Sequence, residues 1–193
     1  MRALTVRICL GLLMLPAARH APAAENVSVE SIRREDALEI VCSATLDAPF
    51  DIVWQTLTDY EHLPEFVPGM HTSRVIERRG AEVVVEQAGE ARFLFLTHPI
   101  EVTVVSTERP PQALEVRLLK GNLKQFRGAY RIERQGALRI LLTWAGTIEA
   151  LSMPPLIGEL LMRSSIEDQF RGMVSEIERR EALRRGNGRE AGR

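Results

Sequence analysis

From about residue 70 to residue 149 the apolar residues of this chain recur at every second position, in six successive runs. A period of two is the signature of a half-buried strand, because successive side chains along a strand point to opposite faces. The runs fall at about 70–79, 82–96, 99–109, 112–120, 124–134 and 137–149. Explicit turn signals stand at four of the breaks: Arg79-Gly80, Pro110-Pro111, Gly121-Asn122 and Gln135-Gly136. Connections this short leave no room for the long crossovers that parallel neighbours need, so an antiparallel meander is expected. Leu114, Val116 and Leu118 share one phase, as do Phe126, Gly128, Tyr130 and Ile132, and as do Leu138, Ile140, Leu142, Trp144 and Ile148. The opposite phases carry Glu115, Arg117, Arg127, Arg131 and Glu133. A sheet with one greasy and one wet face needs a cover on the greasy side. Gly89, inside the longest run, predicts a bulge or bend.

The C-terminal segment supplies the cover. After Met153-Pro154-Pro155, the residues Ile157, Leu160, Leu161, Phe170, Met173, Val174 and Ile177 recur at three- and four-residue steps. The pattern predicts a helix of roughly 25 residues, long enough to lie across a curved sheet. Upstream, Leu38, Ile40, Cys42, Ala44 and Leu46 alternate and predict one more strand over residues 37–47. Asp47-Ala48-Pro49 then opens a short helix carrying Phe50, Val53, Trp54 and Leu57. A second short helix runs through Phe66 and is ended by Val67-Pro68-Gly69. The expected class is α+β: a strand, two short helices, a six-strand meander and a long helix.

The N-terminus has a different character. Arg2 and Arg7 precede the apolar stretch Ile8 to Leu15, Pro16 breaks it, and Ala21-Pro22-Ala23-Ala24 fits a small-x-small cleavage site. A membrane span needs roughly 20 apolar residues, about twice this run. Residues 1–24 are therefore expected to be a cleavable signal peptide, and the chain an exported protein of the bacterial periplasm. Residues 25–36 are read as an N-terminal extension, 37–182 as the domain, and 183–193 as a basic disordered tail. Without Arg2, Arg7 and Arg19 the 25 basic residues become 22 against 26 acidic ones, a net charge of −4. Because arginines also crowd the last turns, the domain body is acidic, which argues against a nucleic-acid partner. Cleavage leaves Cys42 as the one cysteine, in phase with its apolar neighbours and expected to be a buried, inert thiol.

Few residues invite chemistry. His62, His71 and His98 are dispersed and lack the helical pairing with a glutamate that a zinc hydrolase uses, so no metal site is expected. Ser164-Ser165 lacks the strand–turn–helix glycine frame of a hydrolase nucleophile. Glu86 and Glu90 flank Gly89; if Gly89 resets the phase, Glu90 points inward, and a carboxylate against an apolar cavity can act as a general acid or base. The plainer reading is an exposed strand acid, and no catalytic residue is assigned.

The order of elements resembles the helix-grip fold of the START/polyketide-cyclase (SRPBCC) superfamily. Asp47-Ala48-Pro49 with Val53-Trp54 is similar to that superfamily's entry into its first helix. Asp59-Tyr60-Glu61 with Leu63-Pro64-Glu65-Phe66-Val67-Pro68-Gly69 and Ser73-Arg74-Val75 is similar to the motif of its coenzyme Q-binding COQ10-like branch, as is Phe126-Arg127-Gly128-Ala129-Tyr130. The resemblance covers about residues 37–180. It implies that an apolar or amphipathic molecule is held between sheet and long helix. A quinone, isoprenoid or lipid is the expected ligand, with no other cofactor. The residues suited to line such a pocket are Trp54 and Phe66 on the short helices, and Pro68 and Met70 in the loop that follows. Phe93, Phe95, Tyr130 and Trp144 join them from the strands, and Met153, Leu160 and Leu161 from the covering helix. A hydrophobic-ligand carrier is thus favoured, with peripheral membrane contact as a further expectation and an aromatase/cyclase-like enzyme as the alternative. The oligomeric state is left open.

Overall fold

The structure, a computed structural model, describes residues 27–150 and 155–190. The leader reading of residues 1–24 and the candidate Met153 lie outside the described residues. Eight antiparallel strands form one sheet: β1 (Val27–Arg34), β2 (Ala37–Leu46), β3 (Met70–Arg79), β4 (Glu82–Phe93), β5 (Leu96–Arg109), β6 (Ala113–Gly121), β7 (Leu123–Arg134) and β8 (Ile140–Ala150). Between β2 and β3 lie α1 (Phe50–Leu57), a 3-10 turn (Tyr60–His62) and α2 (Leu63–Phe66); α3 (Pro155–Glu190) closes the chain. The strand order is β1-β2-β8-β7-β6-β5-β4-β3, so the six-strand meander forms as its turns predict. The pairing of β2 with β8, in the register Cys42↔Trp144, brings the first core strand beside the last.

The segment read as an N-terminal extension carries β1, paired with β2 in the register Val29↔Cys42 and Ser31↔Ile40. Its alternation is short, and its arginines and glutamate suit a sheet edge, where charge discourages further pairing. The β4–β5 turn falls at Leu94-Phe95, ahead of its expected place, at a site with neither Gly nor Pro; Leu94 adopts φ 54°. Pairing to β3 ends at Gly89 and pairing to β6 at Val102, so the ends of β4 and β5 project as a two-stranded ribbon. The irregularity expected at Gly89 lies opposite it, on β3 between Met70 and Thr72. Leu138 precedes β8 and is exposed, leaving the row that begins with Ile140 as the buried one.

Helix α3 is 36 residues long, and the expected disordered tail from residue 183 is helical through Glu190. Glu176 pairs with Arg179 and Arg180, both at 2.6 Å, one helical turn on. Glu181 pairs in the same way with Arg184 and Arg185, again at 2.6 Å. Such three- and four-residue spacings place opposite charges on one helix face and prolong a helix whose composition reads as solvated. Arg185 Nη2 also donates to the Asp47 carbonyl at 2.8 Å, tying this end of α3 to the start of the α1 segment. The core lies between α3 and the concave face, with Phe170, Val174 and Ile177 of the helix against Ile40, Val85 and Leu142 of the strands. Among the described residues no helix is long and apolar enough to cross a membrane.

Candidate functional site

The sheet curves away from the first half of α3 and leaves two adjoining chambers. The outer one, about 80 Å³, lies where the ribbon begins, between Gly89, Glu90 and Ile100 on one side and Met162, Ser165 and Ile166 on the other. The inner one, about 90 Å³, lies under Tyr60, Leu63 and Val67 and is floored by Tyr130 and Trp144. Met70, Gln87, Phe126, Ile166 and Gln169 line both, so these side chains are the partition. Each chamber alone is smaller than the roughly 300–1,000 Å³ of a pocket for a drug-sized ligand. Met70 is unbranched, the most adaptable side chain of this partition.

The inner wall is aromatic. Trp144 lies 4.8 Å from Tyr130 and 6.0 Å from Phe126 between ring centroids, and Tyr130 stacks on Phe170 of α3 at 6.5 Å. The indole fits because residue 128, two positions along β7 from Trp144's partner Tyr130, is glycine: a Cβ there would fall 2.4 Å from Trp144 Cη2. Burial, with a smaller effect from Cys42 beside it, holds the Tyr130 hydroxyl well above the ordinary tyrosine range. The Cys42 thiol is itself pushed up to about 12, chiefly by burial, in keeping with an inert core thiol. Tyr60 donates to Glu108 Oε1 at 3.1 Å under the Arg78 guanidinium, and burial with the adjacent Glu108 carboxylate raises it too. Among the described residues two buried side-chain polar atoms make no hydrogen bond: Trp144 Nε1 and Glu90 Oε1.

Glu90 does border the outer chamber, but not as a lone carboxylate. It is ion-paired with Arg92 and lies 3.4 Å from His71 Nε2, neither contact being aligned as a hydrogen bond. Gly89 does not reset the strand, since Glu90 continues the β5 register opposite Pro99.

Of the residues singled out from the sequence, Met70, Tyr130 and Trp144 line the chambers. Trp54 instead stacks on Phe50 at 5.8 Å, outside them. Phe66 lies under the Arg180 guanidinium and Pro68 is exposed; both pack on Gly172 of α3, which clamps their loop shut. Phe93 packs on the ribbon's inner side, while Phe95 at the tip is 89% exposed because the turn falls there and not beyond it. Leu161 is buried in the core away from the chambers, and Leu160, one residue earlier, faces out at 46% exposure. Sequence reasoning missed Gln87, Phe126, Met162, Ile166 and Gln169 as lining residues. The available signal was a polar residue on an apolar phase: Gln87 follows Val83 and Val85, and Gln169 sits between Ile166 and Met173 at helical spacing.

A family model described as polyketide cyclase / dehydrase and lipid transport matches residues 46–171. Among solved structures, the Zhui aromatase/cyclase from Streptomyces sp. R1128 is similar, with TM-score 0.63 and 18% identity over 75% of this chain and 95% of that one. The STAR-related lipid transfer protein from Xanthomonas axonopodis is similar at TM-score 0.63 and 15% identity, over 81% and 96% of the two chains. The human StarD13 lipid transfer and protein localization domain gives 0.62 and 13%, over 81% and 87%. These likenesses establish the helix-grip fold. No curated protein matches the sequence.

Proposed function

Because the chain belongs to the polyketide cyclase / dehydrase and lipid transport family, we propose that it binds and carries a hydrophobic small molecule in the cell envelope. The observation that carries this reading is the pair of chambers between sheet and α3, lined mostly by apolar side chains with a few polar ones. That is the composition of a site that shields an apolar body and orients it with few anchors. A quinone, isoprenoid or acyl lipid fits this description, and the COQ10-like motif around Tyr60 favours the quinone. The leader-like residues 1–24 support a periplasmic location for this carrier.

Exchange runs through the ribbon end. The loop at Phe66–Pro68 is clamped on Gly172, whereas Leu94, Phe95, Leu156, Ile157 and Leu160 stand exposed on the ribbon tip and the first turns of α3. Exposed apolar groups beside a cavity suit transient contact with a bilayer, where an apolar ligand resides. The test is native mass spectrometry and lipid extraction of the purified protein after incubation with envelope lipids. A retained apolar species is expected. Retention of nothing, together with failure of added quinones to bind, overturns the reading. An aromatase/cyclase-like activity is the second reading, favoured by the enclosed Tyr130 hydroxyl; turnover of a polyketide-type substrate lost in Tyr130→Phe supports it.

A further inference from the structure

Tyr130 on β7 and Trp144 on β8 are direct cross-strand partners, and both line the inner chamber. Trp144 is 4% exposed and its Nε1 is buried without a hydrogen-bond partner. Tyr130 is only partly buried, and its hydroxyl also has no hydrogen-bond partner among the described residues. The nearby Gln169 and Gln87 side chains hydrogen-bond instead to Ser165 Oγ at 3.1 Å and Ser73 Oγ at 3.4 Å, and neither makes a hydrogen bond to Trp144 or Tyr130. A buried donor left without an acceptor carries the full desolvation cost of the group, so such donors are rare in folded proteins and call for an explanation. Here the one such donor among the described residues, Trp144 Nε1, stands beside the unpartnered hydroxyl of its cross-strand partner Tyr130, in a chamber whose other walls include Phe126 and Phe170.

We propose that Tyr130 Oη and Trp144 Nε1 form a two-donor subsite that reads a carbonyl-type oxygen on a ring-bearing ligand. This rests on the binding reading above and deepens it, because it selects among apolar ligands. An acyl chain or a plain hydrocarbon brings no acceptor to the two donors, whereas a ketone or quinone oxygen accepts from them while its ring packs against the aromatic wall. Discrimination of this kind is strong, since the site's own buried groups stay unpaired when the wrong ligand enters.

The experiment uses two probes of one shape, 2-acetylnaphthalene and 2-ethylnaphthalene, which differ at the carbonyl oxygen. Affinities are measured by equilibrium dialysis for the wild type, Tyr130→Phe, Trp144→Phe and the double variant. The wild type is expected to prefer the ketone by about tenfold or more, and each single variant to lose about three- to tenfold in ketone affinity. The preference for ketone over hydrocarbon falls by the same factor in each single variant, whatever common change in packing both probes show, and disappears in the double variant. Should Trp144→Phe fail to fold, Tyr130→Phe, which keeps the ring and removes only the hydroxyl, decides the matter. Parallel weakening of both probes would show that the two residues only pack, and equal wild-type affinity for both overturns the subsite alone. If the wild type binds neither probe and retains no envelope lipid, the subsite and the binding reading fall together.

Discussion

Gly172 of α3 and Phe66 of α2 are in backbone contact: a Cβ on Gly172 would stand 2.3 Å from the Phe66 carbonyl oxygen and 2.5 Å from Pro68 Cδ. The helix therefore reaches the loop that roofs the inner chamber only because this position lacks a side chain. Gly172→Ala gains up to about 1 kcal/mol of helix propensity. It also forces helix and loop apart, at a typical overpacking cost of about 1–3 kcal/mol. The clash is with backbone, which cannot swing aside, so a net loss is expected as a lower urea midpoint at unchanged m-value. A variant as stable as wild type would show that the loop yields.

Gly128 holds Trp144 in the same way, a Cβ there falling 2.4 Å from Trp144 Cη2. Gly128→Ala is expected to cost about 1–3 kcal/mol by displacing the indole. Trp144→Phe removes the atoms that clash, so the double variant should be more stable than the sum of the singles by at least about 0.5 kcal/mol. A double-mutant cycle in denaturant measures this; strict additivity would mean the two positions do not share one contact.

Tyr60 and Tyr130 are the chain's 2 tyrosines, and both are raised above the ordinary range, mainly by burial. A raised folded-state value means the fold favours the neutral phenol. This contribution is complete below the unfolded value of about 10 and is lost as pH rises above it. Ultraviolet titration of the native protein should show no phenolate at pH 10, where urea-unfolded chain is half ionised. Native ionisation at the ordinary value would show that the phenols are open to water.

Arg180 bridges α3 to the turn before α2: it pairs with Glu176 at 2.6 Å and Asp59 at 2.7 Å while covering Phe66. Burial works to raise Asp59, but hydrogen bonds from His62 and Arg180 outweigh it and hold the carboxyl below its usual range. Glu176 is lowered by Arg179 first and Arg180 after it. Stability from these lowered carboxyls is present above about pH 4 and lost as pH falls through their folded values. Arg180→Met should cost about 1–2 kcal/mol at pH 7 after allowance for solvent screening. The difference from wild type should shrink toward pH 2, as seen by thermal unfolding; a constant difference would point to lost packing on Phe66 alone.

Leu94 and Phe95 are 83% and 89% exposed, so replacing both with Asp should leave stability within about 0.5 kcal/mol. Under the carrier proposal the same change abolishes flotation with phosphatidylglycerol-containing vesicles and slows ligand delivery to them, while ligand binding in solution persists. Leu138→Asp, an exposed apolar site outside the ribbon, serves as control. Equal flotation of all three proteins would remove the ribbon from the exchange route.

The strand alternation made most of the architecture readable before any coordinates. Each half-buried strand writes its period into its own residues, and the turns at Gly80, Pro110-Pro111 and Gly121 name their positions. β1 was illegible because an edge strand solvated on one face, with charge along it, reads like a linker. The last turns of α3 read as a disordered basic tail because composition counts charges without pairing them, whereas Glu176 and Glu181 each hold two arginines.

The candidate site was legible only at Met70, Tyr130 and Trp144, whose inward phase coincides with a place where helix and sheet part. Phase tells a side chain's face, not whether the space before it is filled: Leu161 shares the inward side yet lies in packed core, and Phe93 packs partly buried against that core on the ribbon. By itself the sequence determined a meander with one apolar face and a long helix to cover it, since both follow from local periodicity. Only the tertiary structure decided where the cover lifts, which loop Gly172 clamps, and which buried polar atoms go unpaired. Those depend on distances between residues far apart in the chain, which no local pattern encodes.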